Sequence, residues 1–206
     1  MARPKGDMET SFEVRSCDAR MSLDEYNRLP KHPLYIVLDN LRSAFNVGAI
    51  FRLCDAMRVE GLLLCGYTAH PPHVKLEKTS LGTIDYVPWH WFPTALEAVS
   101  WLRERGIAVW AAETCSHAVP YTQATWPERV ALVLGNEALG VSRNVLEACD
   151  TVVEIPLYGF KNSVNVATAC AVVGFAFLEQ YGRTKGKAPV PTAREPSRDS
   201  GESTRP

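Results

Sequence analysis

The sequence carries no excess of charge of either sign: over 206 residues, Lys+Arg 22 stand against Asp+Glu 23, a formal net charge of -1. Bulk attraction to a polyanion is thereby excluded as the basis of function, and only a local basic patch is left. There is no CxxC pair and no cluster of histidines, so the ligand spacing of a zinc site is missing and no metal is expected. The cysteines (Cys17, Cys54, Cys65, Cys115, Cys149, Cys170) lie mostly inside apolar segments, the usage of structural thiols in a reducing compartment. No apolar run suits a bilayer: the longest stretch without charge, Asn162 to Leu178, is too short and carries Ser, Asn and Gly. No secretory segment follows the start MARPKGDMETSFEV, which predicts a cytoplasmic protein. Neither GxGxxG after a strand, nor GxxxxGK(S/T), nor GxSxG occurs, which disfavours a dinucleotide site, a P-loop and an α/β-hydrolase elbow.

What is present is an ordinary globular composition, 46% hydrophobic and 22% charged, at a length that fits one domain with extensions. The runs LYIVLD, GLLLCG, YVPWHWF, IAVWAAE, RVALVLG and TVVEIP read as strands whose near-continuous apolar content predicts cover on both faces, as in a parallel sheet. Between them VGAIFRLCDAMR, TALEAVSWLRERG, SRNVLEACD and VNVATACAVVGFAFLEQYG read as helices, with a shorter piece at KLEKTSLG. The alternation predicts a single α/β domain built on a mostly parallel six-stranded sheet flanked by helices. The expected organisation is a short N-terminal extension over 1–32, the domain over 33–181, and a disordered basic tail over 182–206. In the extension SLDEYNRLP reads as a helix capped by Ser22, with Glu25 at the capping-box position and Pro30 beyond its end. The tail is rich in Pro, Gly, Ser and charge, with almost nothing to bury.

Ligands of such sheets bind at the carboxyl ends of the strands, and three strand-to-loop junctions here are unusually polar. In LDNLRSAFNVGAIFRLCDAM, Asn46 is placed to cap the next helix and Gly48 permits a close approach. Arg52 stands off the apolar stripe; its plain role is a surface pair with Asp55, its functional one a guanidinium poised for phosphate. In RVALVLGNEALGVS a buried strand runs straight into Gly135, Asn136 and Glu137, with Gly140 and the cap candidate Ser142 following. Glu137 is there a turn acid or a site residue with equal claim. In VVEIPLYGFKNSVNVATACAVV, Asn162, Ser163 and Asn165 crowd the entry to an almost uncharged helix. Asn162 or Ser163 serves as its cap, and Asn165, in the first turn of a helix expected to be buried all round, needs a partner. A helix so poor in charge also points to a subunit interface.

Asn-x-Gly-Ala-Ile-x-Arg (Asn46 to Arg52), Leu-Gly-Asn-Glu-x-x-Gly (Leu134 to Gly140) and Ile-Pro-x-x-Gly-x-x-x-Ser-x-Asn-Val (Ile155 to Val166) together resemble, in order and spacing, the three motifs of the SpoU/TrmH branch of the SPOUT RNA methyltransferases. The resemblance covers roughly 33–181, and PPHVKLEKTSLGTIDYVPW is similar to a segment of bacterial members. It implies a SPOUT fold with a C-terminal deep trefoil knot, a homodimer, and S-adenosylmethionine as cofactor. It implies transfer of a methyl group to a ribose 2′-hydroxyl in RNA, tRNA before rRNA, since the chain is compact. Carried over by motif, the catalytic set is Arg52, Asn46, Glu137, Ser163 and Asn165, with Arg52 on the RNA phosphate and the amides orienting it. The cofactor set is Gly135, Asn136, Ile155, Leu157, Ser163 and Val164, with Thr114 on the adenosine side. For RNA contact Arg42, Lys75, Lys78 and Lys161 come first. The competing readings are a SPOUT-type base methyltransferase, a catalytically silent RNA- or cofactor-binding homologue, and an α/β enzyme of unrelated chemistry.

Overall fold

The computed structural model describes residues 22–185; Cys17, the rest of 1–21 and the tail residues 186–206 lie outside it. Helix α1 (Leu23–Arg28) has the expected capping box: the Ser22 hydroxyl accepts from Glu25 N–H while the Glu25 carboxylate accepts from Ser22 N–H at 2.8 Å.

The α/β body runs β1 (His32–Asp39), α2 (Ala44–Met57), β2 (Val59–Cys65), α3 (Val74–Ser80), a single 3-10 turn (Thr83–Asp85), β3 (Trp89–Phe92), α4 (Ala95–Arg103), β4 (Ala108–Ala112), β5 (Val119–Pro120), β6 (Val130–Leu134), α5 (Arg143–Glu147), β7 (Thr151–Glu154) and α6 (Val166–Lys185). The sheet is entirely parallel in the order β3-β2-β1-β6-β4-β7-β5. It therefore has seven strands where the sequence predicts six. The extra one, β5, is two residues long, ends in proline and pairs at the edge with β7, too little pattern to be read beforehand.

Alternate side chains of the central strands go to opposite faces, which is why their apolar runs are nearly unbroken. Leu34, Ile36, Leu38, Leu62, Leu64 and Leu132 pack under α2 and α6, against Ile50, Phe51, Cys54, Cys170 and Phe177. Tyr35, Val37, Leu63, Ala131 and Val133 pack on the other side against Ala98, Val99 and Leu102 of α4 and Val145 of α5. Burial pushes the Cys65 and Cys170 thiols up to about 12, which fits inert core residues.

Helix ends differ from expectation at both outer motifs. The cap of α2 is Ser43, whose hydroxyl accepts from Asn46 N–H, so Asn46 lies inside the first turn rather than capping it. At α6 the cap is Asn165, whose Oδ1 accepts from Ala167 and Thr168 N–H; Asn162 and Ser163 lie before it, exposed. Nor is α6 buried all round: Val166, Cys170, Val173, Gly174 and Phe177 face the core, while Phe175 is 46% exposed. The helix also continues through Gly182–Lys185, residues expected in the tail. Among the described residues no helix is long and apolar enough to cross a membrane.

Gly48 fulfils its expected role. A Cβ there would lie 2.0 Å from Thr79 Oγ1 and 2.7 Å from Thr79 Cβ, at the crossing of α2 and α3. Gly48→Ala is expected to destabilise by about 2 kcal/mol through overpacking, read as a lower urea midpoint with an unchanged slope; an unchanged midpoint would show that α3 yields freely.

Candidate functional site

The sheet order reverses between β1 and β6: β2 and β3 follow on one side of β1, while β4, β7 and β5 lie beyond β6. A crevice at the carboxyl ends of such a pair is the usual ligand position in open α/β sheets. Asp39 ends β1 and Leu134 ends β6, so the first two motif loops, 40–43 and 135–142, leave the sheet side by side.

The 135–142 loop is folded tightly on itself. Asn136 and Gly140 exchange backbone hydrogen bonds of 3.0 and 2.8 Å, and a Cβ on Gly135 would come within 2.1 Å of the Gly140–Val141 peptide. Asn136, only 5% exposed, spends its whole side chain on this shape. Its Oδ1 accepts from Ala138 and Leu139 N–H, and its Nδ2 donates to Asn40 O at 2.8 Å and to the Tyr67 hydroxyl at 2.6 Å. Its side chain is thus fully occupied in shaping the loop.

Two further carboxylates anchor the loop, and sequence reasoning missed both. Buried Asp39 accepts from Ser142 N–H (2.9 Å), Ser142 Oγ–H (2.6 Å) and Asn40 Nδ2 (2.9 Å). Glu113, just after β4, accepts from Thr114 N–H and from Val141 N–H, both at 2.9 Å. A Cβ on Gly140, whose φ is +72°, would meet Glu113 Oε2 at 2.4 Å. The legible signal was Asp39 itself, an acid closing an otherwise apolar strand.

The third motif joins through side chains alone. Glu137 accepts from Arg42 N–H (2.8 Å), Ser43 N–H (3.0 Å) and Asn46 Nδ2 (3.0 Å), and Asn46 Oδ1 accepts from Asn165 Nδ2 (3.0 Å). The amide orientations are fixed by chemistry. Asn165 Oδ1 is taken by the α6 amides, so its nitrogen must donate; Asn46 then accepts with its oxygen and turns its nitrogen to a carboxylate. Residues 46, 137 and 165, one from each motif, thus form a single chain of hydrogen bonds. Burial alone would raise the Glu137 pKa, but donation from Arg42 N–H, Asn46 and Ser43 N–H outweighs it and holds the carboxyl below its ordinary value. With a lowered folded-state pKa, the tether is complete above the ordinary carboxylate pKa and is lost as pH falls through the folded value. Glu137 is accordingly an ionised strut, unsuited to acid–base work near neutrality.

Arg42, Ser43, Asn46 and Glu137 line an open cavity of about 450 Å³. Arg52 is exposed on α2, nine residues past the Ser43 cap, roughly 13 Å along the axis. It forms no ion pair among the described residues, so the surface pair with Asp55 is not made, and it has no hydrogen bond to Asn46, Glu137 or Asn165. Lys75 and Lys78 are exposed on α3, and Lys161 and Ser163 on the 155–165 loop. That loop and the one carrying Thr114 follow β7 and β4, which pair with each other, and β4 pairs with β6.

Comparison with known proteins bears on these arrangements. The model of the SpoU rRNA Methylase family matches residues 33–175. A tRNA (guanosine(18)-2′-O)-methyltransferase of Thermus thermophilus is 31% identical over 161 residues, 78% of this chain and 82% of that protein. The crystal structure of an A. aeolicus TrmH/SpoU tRNA modifying enzyme superposes with a TM-score of 0.70 at 26% identity, over 80% of this chain and 82% of that one. An AdoMet-bound rRNA methyltransferase from Sinorhizobium meliloti does so with a TM-score of 0.67 at 25% identity, over 75% and 57%.

Proposed function

Because the chain belongs to the SpoU rRNA methylase family, we propose that it transfers a methyl group from S-adenosylmethionine to a ribose 2′-hydroxyl in RNA, with tRNA as the substrate class. The observation that carries this reading is the Glu137–Asn46–Asn165 chain, which ties one residue of each motif together beside the cavity lined by Asn46 and Glu137.

The residues present fit the cofactor. The backbone amides of Ile155, Leu157, Ser163 and Val164 have no hydrogen-bond partner among the described residues, and Leu157 and Val164 are 36% and 42% exposed beside them. Unspent backbone groups interleaved with apolar side chains suit an adenosine held through main-chain contacts. Gly135 and Asn136 give the neighbouring loop its shape, and Thr114 stands on the third side. When bound, S-adenosylmethionine supplies a methyl group already activated on a sulfonium sulfur.

The protein's task is then to hold the sugar oxygen in line and to take its proton. Arg52 grips an RNA phosphate with its guanidinium fork. A guanidinium has donors only and no acceptor atom, so it orients that phosphate oxygen to receive the hydroxyl proton instead of acting as a base. Asn46 and Asn165 orient the ribose, Ser163 donates to it, and Glu137 keeps Asn46 in place. Arg42, Lys75, Lys78 and Lys161 meet the RNA backbone. No metal takes part.

The chain acts as a cytoplasmic homodimer in this proposal, with the half-exposed Phe175 face of α6 as the subunit contact and a C-terminal trefoil knot closed where β7 returns to α6; sedimentation should give the mass of two chains. The deciding assay is methyl transfer to tRNA from a strain lacking this protein. Label recovered in alkali-resistant dinucleotides is the expected result. Label in a base, or none, would overturn the proposal.

A further inference from the structure

β2 and β3 end together, Cys65 beside Phe92, and the segment 66–73 leaves from that edge. Tyr67 is 62% exposed yet held at both ends. Its N–H donates to Asn40 Oδ1 at 3.3 Å, and its hydroxyl oxygen accepts from Asn136 Nδ2 at 2.6 Å. Since the asparagine supplies the proton of that bond, the phenol's own O–H is left without an acceptor among the described residues. Trp91, 44% exposed, donates Nε1–H to the oxygen of Gly66, next to Tyr67, at 3.0 Å. The His70 ring lies 5.6 Å from its centre, tilted by 51°.

Exposed aromatic rings are common, and alone they mean little. Tyr67 and Trp91 are held by hydrogen bonds that restrict their rotamers while leaving both residues open to solvent, so less side-chain ordering is left to be done when a ligand stacks on them. The bonds of Tyr67 run to Asn40 and Asn136, the latter preceding Glu137 of the cavity lining, and Trp91 is tied to Gly66 beside Tyr67, so the aromatic cluster is anchored to the two loops that carry the cavity residues.

We propose that Tyr67 and Trp91, with His70, form a platform on which an unpaired nucleobase of the RNA substrate stacks while its backbone reaches the cavity. The inference rests on the RNA methyltransferase reading and assigns that substrate a point of contact. Charge favours RNA over a protein partner. Arg42 follows Leu41, whose N–H donates to Thr68 of the segment, and Lys75 and Lys78 lie on α3, which follows the segment; none makes an ion pair among the described residues. Stacking on aromatic faces beside free cations is how single-stranded RNA is commonly held.

The test measures binding of fluorescein-labelled oligouridylate and oligoadenylate by anisotropy, alongside methyl transfer to tRNA from a strain lacking the protein. Tyr67→Ala and Trp91→Ala should each weaken oligonucleotide binding about tenfold or more, and raise KM for tRNA more than they lower kcat. Tyr67→Phe, which keeps the ring, should retain most of the affinity. S-adenosylhomocysteine affinity in Trp91→Ala should stay within about twofold of the parent, a split that general unfolding would not produce. If the parent methylates tRNA and both alanine variants bind RNA as it does, the platform is refuted and the enzyme reading stands. If the parent transfers no methyl group yet binds RNA through Tyr67, the enzyme reading falls and the platform stands. Binding of neither oligonucleotide, or capture of a protein in place of RNA, overturns the platform.

Discussion

Arg52→Ala is expected to lower methyl transfer by about a thousandfold, the size of a lost proton-transfer device, while leaving S-adenosylhomocysteine affinity and the melting temperature where they were. The two halves of that expectation have separate grounds. Arg52 is exposed and unpaired, so its truncation should change stability by less than about 0.5 kcal/mol. The cofactor groups proposed on 135–136 and 155–164 are not bonded to it. What the variant loses is the fork on the RNA phosphate, and Arg52→Lys should recover little, because one ammonium cannot bind two oxygens in a fixed plane. The measurement is single-turnover transfer to tRNA with calorimetry on the same preparations. Full turnover in Arg52→Ala would remove the residue from the mechanism; equal loss of cofactor binding would move it into the cofactor site.

The same residue marks the limit of what the sequence could say. Its place beside the first motif was legible, but its isolation from Asn46 and Glu137 was not, since only coordinates show that the motif's asparagine bonds across to residue 165 while its arginine stays in solvent. The sheet was the most readable part. Strands buried on both faces must be apolar throughout, and the inner strands announced themselves that way; β3, expected to be covered likewise, lies at the sheet edge with His90 and Trp91 exposed, and β5 is only two residues, one of them proline. Ser22 and Ser142 stand at the cap positions read for them, whereas the caps of α2 and α6 were read by residue type and missed by position: Ser43 and Asn46 are both good caps, and Glu137's demand for the Asn46 amide decides between them. For Asn165 the need for a partner was correct and its reason was not, because α6 is buried on one side only. Asp39 stood out as an acid at the end of an apolar strand, but its partner was out of reach, because Asp39 and Ser142 stand 103 residues apart and no local pattern joins them.

Asp39→Ala should damage stability more than Gly48→Ala does, lowering it by about 3 kcal/mol and the melting temperature by about 8 °C for a chain of this size. The side chain is 2% exposed and serves three donors, two of them on Ser142. Truncation leaves the Ser142 N–H without its acceptor where water enters poorly, and frees the far end of the loop that carries Asn136 and Glu137. Asp39→Asn separates charge from shape. Its oxygen can still accept both bonds from Ser142, but its nitrogen then faces Asn40 Nδ2. Asn40 cannot turn round in answer, because its Oδ1 is held by Tyr67 N–H. The amide variant should therefore recover about half of the lost stability, the remainder being one donor set against another. Both variants, assayed well below their melting temperatures, should bind S-adenosylhomocysteine about tenfold more weakly, since the loop that shapes the cofactor's surroundings is loosened at its root. A melting temperature for Asp39→Ala within about 1 °C of the parent would mean that Glu113, through Val141, holds the loop without help from β1.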